Sequence, residues 1–164
     1  MRCIMTFEKA NADDIKDLTE LRLEYLTEDY GGLSQEQTAL IADSLPDYFR
    51  RHLNNDLFAF VCRSGNITAG CCFLYVSEKP ANPTFINGRT GTVLNVYTRP
   101  QFRRQGIAGK LIKMLIAEAK ALSLDYVELK STDSGYSLYK SLGFEDAVSK
   151  YHNMKIIIDE RNEK

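Results

Sequence analysis

Arg103-Arg104-Gln105-Gly106-Ile107-Ala108-Gly109-Lys110 is a basic, glycine-bearing loop between a strand-like run, Thr92–Thr98, and an amphipathic run, Ile107–Leu122. In the second run Ile107, Ala108, Leu111, Ile112, Leu115, Ile116 and Ala119 recur at helical spacing. Lys110, Lys113, Glu118 and Lys120 fall mostly on the other face. Burying that stripe fixes the helix axis, and with it the direction of the first-turn N–H groups, which have no acceptor inside the helix. A terminus of this kind favours negative charge. Glycines that let a ligand approach the backbone, with arginines beside them, suit a diphosphate. A P-loop would need Gly-Lys-Ser/Thr, but Leu111 follows Lys110. A dinucleotide fingerprint would follow the first strand instead. On the loop alone, a plain helix start with glycines used for packing stays open.

Upstream, Ile4–Phe7 predicts a short first strand. From Asp13 to Tyr30, Ile15, Leu18, Leu21, Leu23, Tyr25 and Leu26 predict a helix that Gly31-Gly32 ends. Ser34-Gln35-Glu36-Gln37 is a capping box opening a second helix that runs to about Leu53. Leu57–Arg63 and Ile67–Val76 form a hairpin through Ser64-Gly65-Asn66, and Ser77–Arg89, with Pro80, Pro83 and Gly88, is a loop. Downstream come a strand at Tyr126–Lys130, a helix from Ser134 to Leu142 closed by Gly143, a last strand at Tyr151–Ile158 and a frayed tail, Asp159–Lys164. The order β-α-α-β-β-β-α-β-α-β predicts an α/β (α+β) fold. Its mixed central sheet would have about six to seven strands, with helices on both faces.

The 164 residues suit one domain, and a composition of 44% hydrophobic and 26% charged residues is that of a globular protein. A formal net charge of −1 gives no electrostatic case for nucleic acid as the partner. No apolar run approaches the roughly 20 residues of a membrane helix. Met1–Phe7 lacks the apolar core and cleavage site of a signal peptide, so the expected location is cytoplasmic. Cys3, Cys62, Cys71 and Cys72 have no metal-ligand spacing and read as reduced and buried; no metal is expected.

Arg103-x-x-Gly106-x-Ala108 resembles the Gln/Arg-x-x-Gly-x-Gly/Ala signature of the GNAT superfamily of N-acetyltransferases. The strand Val93-Leu94-Asn95-Val96-Tyr97-Thr98 and Pro100 precede it at the right distance, and Tyr139-Lys140-Ser141-Leu142-Gly143-Phe144 is similar to the family's Tyr-x-x-x-Gly-Phe helix ending. Glu78-Lys79-Pro80, Asn82-Pro83, Gly88-Arg89 and Thr132-x-x-Gly135 look like a bacterial subgroup of unsettled substrate. The likeness is close over residues 90–146. It implies a single GNAT domain over 1–164, with a variable acceptor-side part at 1–90 and an acetyl-CoA-binding core at 91–146.

The resemblance implies transfer of acetyl from acetyl-CoA to a primary amine by direct attack in a ternary complex. The competing expectation is a non-catalytic acyl-CoA-binding sensor. Backbone groups of Val96, Tyr97 and Thr98 would pair with pantetheine, the Val96 N–H facing the thioester carbonyl. The amides of Arg103, Arg104, Gln105, Gly106, Ile107, Ala108 and Gly109 would hold the pyrophosphate, with Arg104 and Lys110 as charge partners. Tyr139 would protonate the leaving thiolate. With a phenol near 10 and a thiol near 8.5 that step is about 2 kcal/mol uphill. Thr132 stands where the family often carries an Asn that contacts pantetheine. Tyr25, Tyr30, Asn95 and His152 would line the acceptor site, and Glu28 and Asp29 would attract a cationic amine or stand solvated. Thr92 occupies the place where some relatives carry a Glu base, so the base is open. Polyamine, antibiotic, amino acid, peptide and protein lysine acceptors are all compatible, and an exposed sheet edge would allow a homodimer.

Overall fold

The computed structural model describes residues 4–159 and 161. Strands β1 (Met5–Lys9), β2 (Leu57–Ser64), β3 (Ile67–Glu78), β4 (Arg89–Thr98) and β5 (Val127–Glu128) form one sheet in the order β1-β2-β3-β4-β5. Each neighbouring pair is antiparallel except β4–β5, which is parallel. Helices α1 (Ile15–Asp29) and α2 (Gln35–His52) cover one face. Helix α3 (Ile107–Ala121) covers the other, with α4 (Asp133–Ser141) beside it. Among the described residues no helix is long and apolar enough to cross a membrane.

The local chemistry of these elements is simple. Ser34 accepts the Gln37 N–H at 3.0 Å while Gln37 accepts the Ser34 N–H at 3.0 Å, closing the capping box that starts α2. Gly31 and Gly32 take positive φ just past α1, and Gly143 does so past α4. Because helices lie on both faces, β2 and β3 read as nearly continuous apolar runs. Phe58, Phe60, Cys72, Leu74 and Val93 pack on Ile107, Leu111, Ile112 and Leu115 of α3. Leu57, Ala59, Val61, Cys71, Phe73 and Tyr97 pack on Leu18, Leu21 and Phe49 from α1 and α2.

One irregularity shapes β4. Cys71 stands opposite Tyr97 and Phe73 opposite Leu94, so Cys72 alone faces two residues, Asn95 and Val96. This is a β-bulge, and Asn95 holds it with a left-handed φ of +52°. The bulge sends Val96 to the α3 core and returns Tyr97 to the α1 side. On the outer side, β5 meets β4 only at Gly91 and Thr92. From Val93 onward that edge of β4 has no strand partner among the described residues.

Two expectations are corrected. Among the described residues the sheet has five strands, not six to seven, and the expected strand at Tyr126–Lys130 shrinks to Val127–Glu128. The segment Tyr151–Ile158 is not a strand: it is irregular, with Met154, Ile156 and Ile158 exposed. Apolar, β-rich composition reports a propensity, whereas a strand also needs an edge to pair with, and a two-residue β5 offers almost none. Cys3 and most of the 159–164 tail lie outside the described residues.

Gly70 sits opposite Thr98, just past the bulge. A Cβ there would stand 2.7 Å from the Tyr97 carbonyl oxygen and 3.3 Å from the Thr98 Cα, both backbone atoms that cannot swing aside. Gly70→Ala should therefore lose about 2 kcal/mol of stability, measured by urea denaturation. An unchanged midpoint would show that the β3–β4 ladder is looser than described.

Candidate active site

The Arg103–Lys110 loop presents backbone to solvent. Gly106 is the N-cap of α3 at φ +76°, and Arg104 is also left-handed at +64°. A Cβ on Gly106 would touch nothing, so its φ is what calls for glycine there. At Gly109 a Cβ would only make an ordinary 3.6 Å contact with Leu138. Buried Ile107 anchors the first turn. Among the described residues, the N–H groups from Arg104 to Gly109 have no acceptor within the chain. They form a row of donors at the positive end of a 15-residue helix.

The side chains divide differently from the backbone. Arg103 folds back: its Nε donates to the Thr98 carbonyl at 2.8 Å and its Nη2 to Glu28 at 2.6 Å, with its guanidinium 5.6 Å from the Tyr97 ring centre. Its charge is thus engaged with α1. The Lys110 ammonium lies 5.1 Å from the Phe7 ring centre. Arg104 and Gln105 are exposed on the loop.

On β4, Asn95 is 3% exposed. Its amide nitrogen donates to the Cys71 sulfur at 3.3 Å, and its amide oxygen accepts from Arg22 Nη1 at 3.2 Å. Tyr97 is buried and meets Tyr25 edge-on at 6.4 Å. Burial raises both phenols, helped at Tyr97 by Glu24 and Glu28 and at Tyr25 by Asp29. Val96 turns to the other face and packs against the α3 core.

Tyr139 stands beyond the loop on α4. Thr132 caps this helix, its hydroxyl accepting the Gly135 N–H at 3.3 Å, so that hydroxyl already has a structural task. A Cβ on Gly135 would come within 3.0 Å of Tyr139 Cε2, so the glycine leaves room for the ring. Phe144 packs edge-on at 5.8 Å. Burial, then Cys72 and Tyr25, push the Tyr139 phenol up to about 12.

Tyr30 is 72% exposed at the end of α1, and His152 is exposed in the irregular C-terminal segment. Neither has a described contact with Asn95 or Tyr97. It adds residues that the sequence reading passed over. Arg22 reaches Asn95, and its guanidinium lies 5.6 Å from the Tyr25 ring centre. Tyr48 stacks on His52 at 4.4 Å, and His52 Nδ1 is 2.7 Å from Asp56, so His52 is a half-buried, paired residue. Arg99 grips Glu24 with two nitrogens at 3.1 and 2.9 Å. The signal for the last pair was present: Glu20, Glu24 and Glu28, spaced four residues apart, form an acidic ladder that matches the basic run from Arg99 to Arg104. Burial pushes the Cys71 thiol up to about 12 and the Cys72 thiol well above its ordinary value.

The model of the acetyltransferase (GNAT) family matches residues 15–144. A predicted acetyltransferase of Clostridium acetobutylicum, crystallised with acetyl-CoA, is 28% identical; the match covers 93% of this chain and 96% of that one, with a TM-score of 0.81. A GCN5-related N-acetyltransferase of Ralstonia eutropha is 23% identical over 92% and 99% of the two chains, with a TM-score of 0.77. Glucosamine-6-phosphate N-acetyltransferase of Arabidopsis thaliana shares the fold at 18% identity and a TM-score of 0.69, covering 95% of this chain and 99% of that one. No curated protein matches the chain.

Tyr139 gives the site a titration signature. Its folded value, about 12, lies above the ordinary 10. Below pH 10 the phenol is protonated in both the folded and the unfolded chain, and its full contribution to stability is present. That contribution, about 3 kcal/mol, is lost as pH rises from 10 toward 12. Denaturant titrations at pH 9 and pH 11 should show a smaller alkaline loss in Tyr139→Phe than in the wild type. Equal losses would mean that the hydroxyl is not desolvated.

Proposed function

The chain belongs to the acetyltransferase (GNAT) family and is an acyltransferase, and we propose that it moves acetyl from acetyl-CoA to a primary amine by direct attack in a ternary complex. One observation carries this reading: the edge of β4, unpaired from Val93 onward among the described residues, is followed after one helical turn at Pro100–Phe102 by the row of free N–H groups from Arg104 to Gly109. A strand edge suits a pantetheine arm and the amide row suits a pyrophosphate. The likeness to the Clostridium protein crystallised with acetyl-CoA points to the same donor.

Acetyl-CoA supplies an acyl group activated as a thioester. On this reading Val96, Tyr97 and Thr98 align the arm, and the Val96 N–H donates to the carbonyl oxygen, where negative charge builds as the amine nitrogen forms the new C–N bond. The Arg104–Gly109 amides hold the pyrophosphate, with Arg104 and Lys110 supplying positive charge. The C–S bond then breaks, and Tyr139 donates its hydroxyl proton toward the departing sulfur. From a phenol at about 12 to a thiol near 8.5, full transfer would cost about 5 kcal/mol. The burial that raises the phenol would also raise a thiol seated beside it, and this narrows the gap. The proton lost by the amine leaves to solvent, and Tyr139 takes one back from solvent to close the cycle. Buried, protonated Cys71 and Cys72 offer no thiolate, which favours direct attack over an acetyl-cysteine route.

Acetyl-CoA should raise the melting temperature at submillimolar concentration. In a thiol-release screen over an amine library, Tyr139→Phe should turn over at least ten times more slowly than wild type with the same acetyl-CoA affinity. No thermal shift at millimolar acetyl-CoA sinks the donor assignment, and unchanged turnover in the variant sinks the role of the hydroxyl.

A further inference from the structure

Four of the five acids of α1 are already engaged. Asp17 approaches Arg63, Glu20 and Glu24 face Arg99, and Glu28 holds Arg103. Arg22, on the same helix, is not part of any of the described ion pairs. It is half-buried, and its described hydrogen bond goes to a neutral acceptor, the Asn95 amide oxygen at 3.2 Å. A guanidinium has five N–H donors in a planar fork, so most of its capacity is free. Leaving such a cation partly desolvated without a counter-charge is unfavourable, and a carboxylate is the partner its fork fits best.

Its surroundings are aromatic. Tyr25 lies under the guanidinium, and Tyr48 packs against the same cluster as Tyr25. Tyr75 and Leu94 belong to the same face of the sheet, and Leu94 is 39% exposed. Asp29, one turn past Tyr25, is exposed. Asn95, which receives Arg22, directly precedes Val96 in the chain. A group held by Arg22 would therefore lie beside the backbone assigned above to the thioester.

Resting on the acyltransferase reading, we propose that Arg22 binds a carboxylate of the acceptor, so that the substrate class is the free amino acids, those with an apolar or aromatic side chain fitting the tyrosine-lined face. One arginine matches one monoanionic carboxylate, whereas a phosphate dianion would call for a second cation. The test measures binding of reaction products in the presence of CoA, which does not depend on turnover. N-acetyl-L-phenylalanine is compared with N-acetylphenethylamine, and N-acetyl-L-leucine with N-acetylisoamylamine, by isothermal titration. Wild type should bind each carboxylate ligand at least ten times more tightly than its neutral match. Arg22→Gln should erase that preference, and Arg22→Lys should keep part of it. Equal binding of the matched pair by wild type, weak binding of both included, overturns the proposal, as does a preference that survives Arg22→Gln. A parallel thiol-release assay separates the two readings. Carboxylate preference with no CoA released from any amine upholds Arg22 and overturns acyl transfer, while turnover of neutral amines without any carboxylate preference does the reverse.

Discussion

The break in register between β3 and β4 at Asn95 is the constraint on which the rest depends. A strand buried on both faces must deliver alternate side chains to two different cores, and its phase is normally fixed from one end to the other. Here one extra residue resets that phase, so that Val93 and Val96 both serve the α3 core while Tyr97 returns to α1. A left-handed asparagine costs on the order of 1 kcal/mol. The Asn95 contacts offset this, since its amide meets both the Cys71 sulfur and Arg22, and its carbonyl accepts the Cys71 S–H at 3.8 Å.

A second layer of organisation is electrostatic. Helix α1 contacts β4 not only through Leu18, Leu21 and Tyr25 but also through a ladder of carboxylates that meets Arg99 and Arg103 where the strand ends. The arginines just past β4 thus have separate tasks. Arg99 ties α1 to the end of the strand, Arg103 ties α1 to the loop, and Arg104 stays exposed beside the free amides. A basic motif that reads as uniform in sequence is divided in space.

Much of this was legible beforehand because it is local. The capping box at Ser34, the glycine stops after α1 and α4, the stripe of α3 and the glycine at its N-cap all depend on a few neighbouring residues. The order of elements as far as α4 followed from them, and the loop pointed to the family. Whatever depends on partners distant in sequence was hidden. Apolar composition at Tyr151–Ile158 gave no information on whether an edge was available. The bulge follows from pairing with β3, which the sequence of β4 taken alone does not display. The reach of Arg22 to Asn95, 73 positions away, needs the docking of α1. Its placement was partly open to inference, since Leu18 four residues before and Tyr25 three residues after set Arg22 on the flank of the buried face.

The two arginine ties at the end of β4 differ in their shielding. The Arg99 side chain is 18% exposed and holds Glu24 with two nitrogens, while Arg103 and Glu28 are 39% and 54% exposed and share one hydrogen bond. Mobile ions screen exposed charges over about 8 Å at physiological ionic strength, and reach shielded pairs far less. As salt rises, the tie between α1 and the loop therefore weakens before the tie between α1 and the strand. Ionic strength becomes a dial that loosens the loop while the sheet and its helix stay joined.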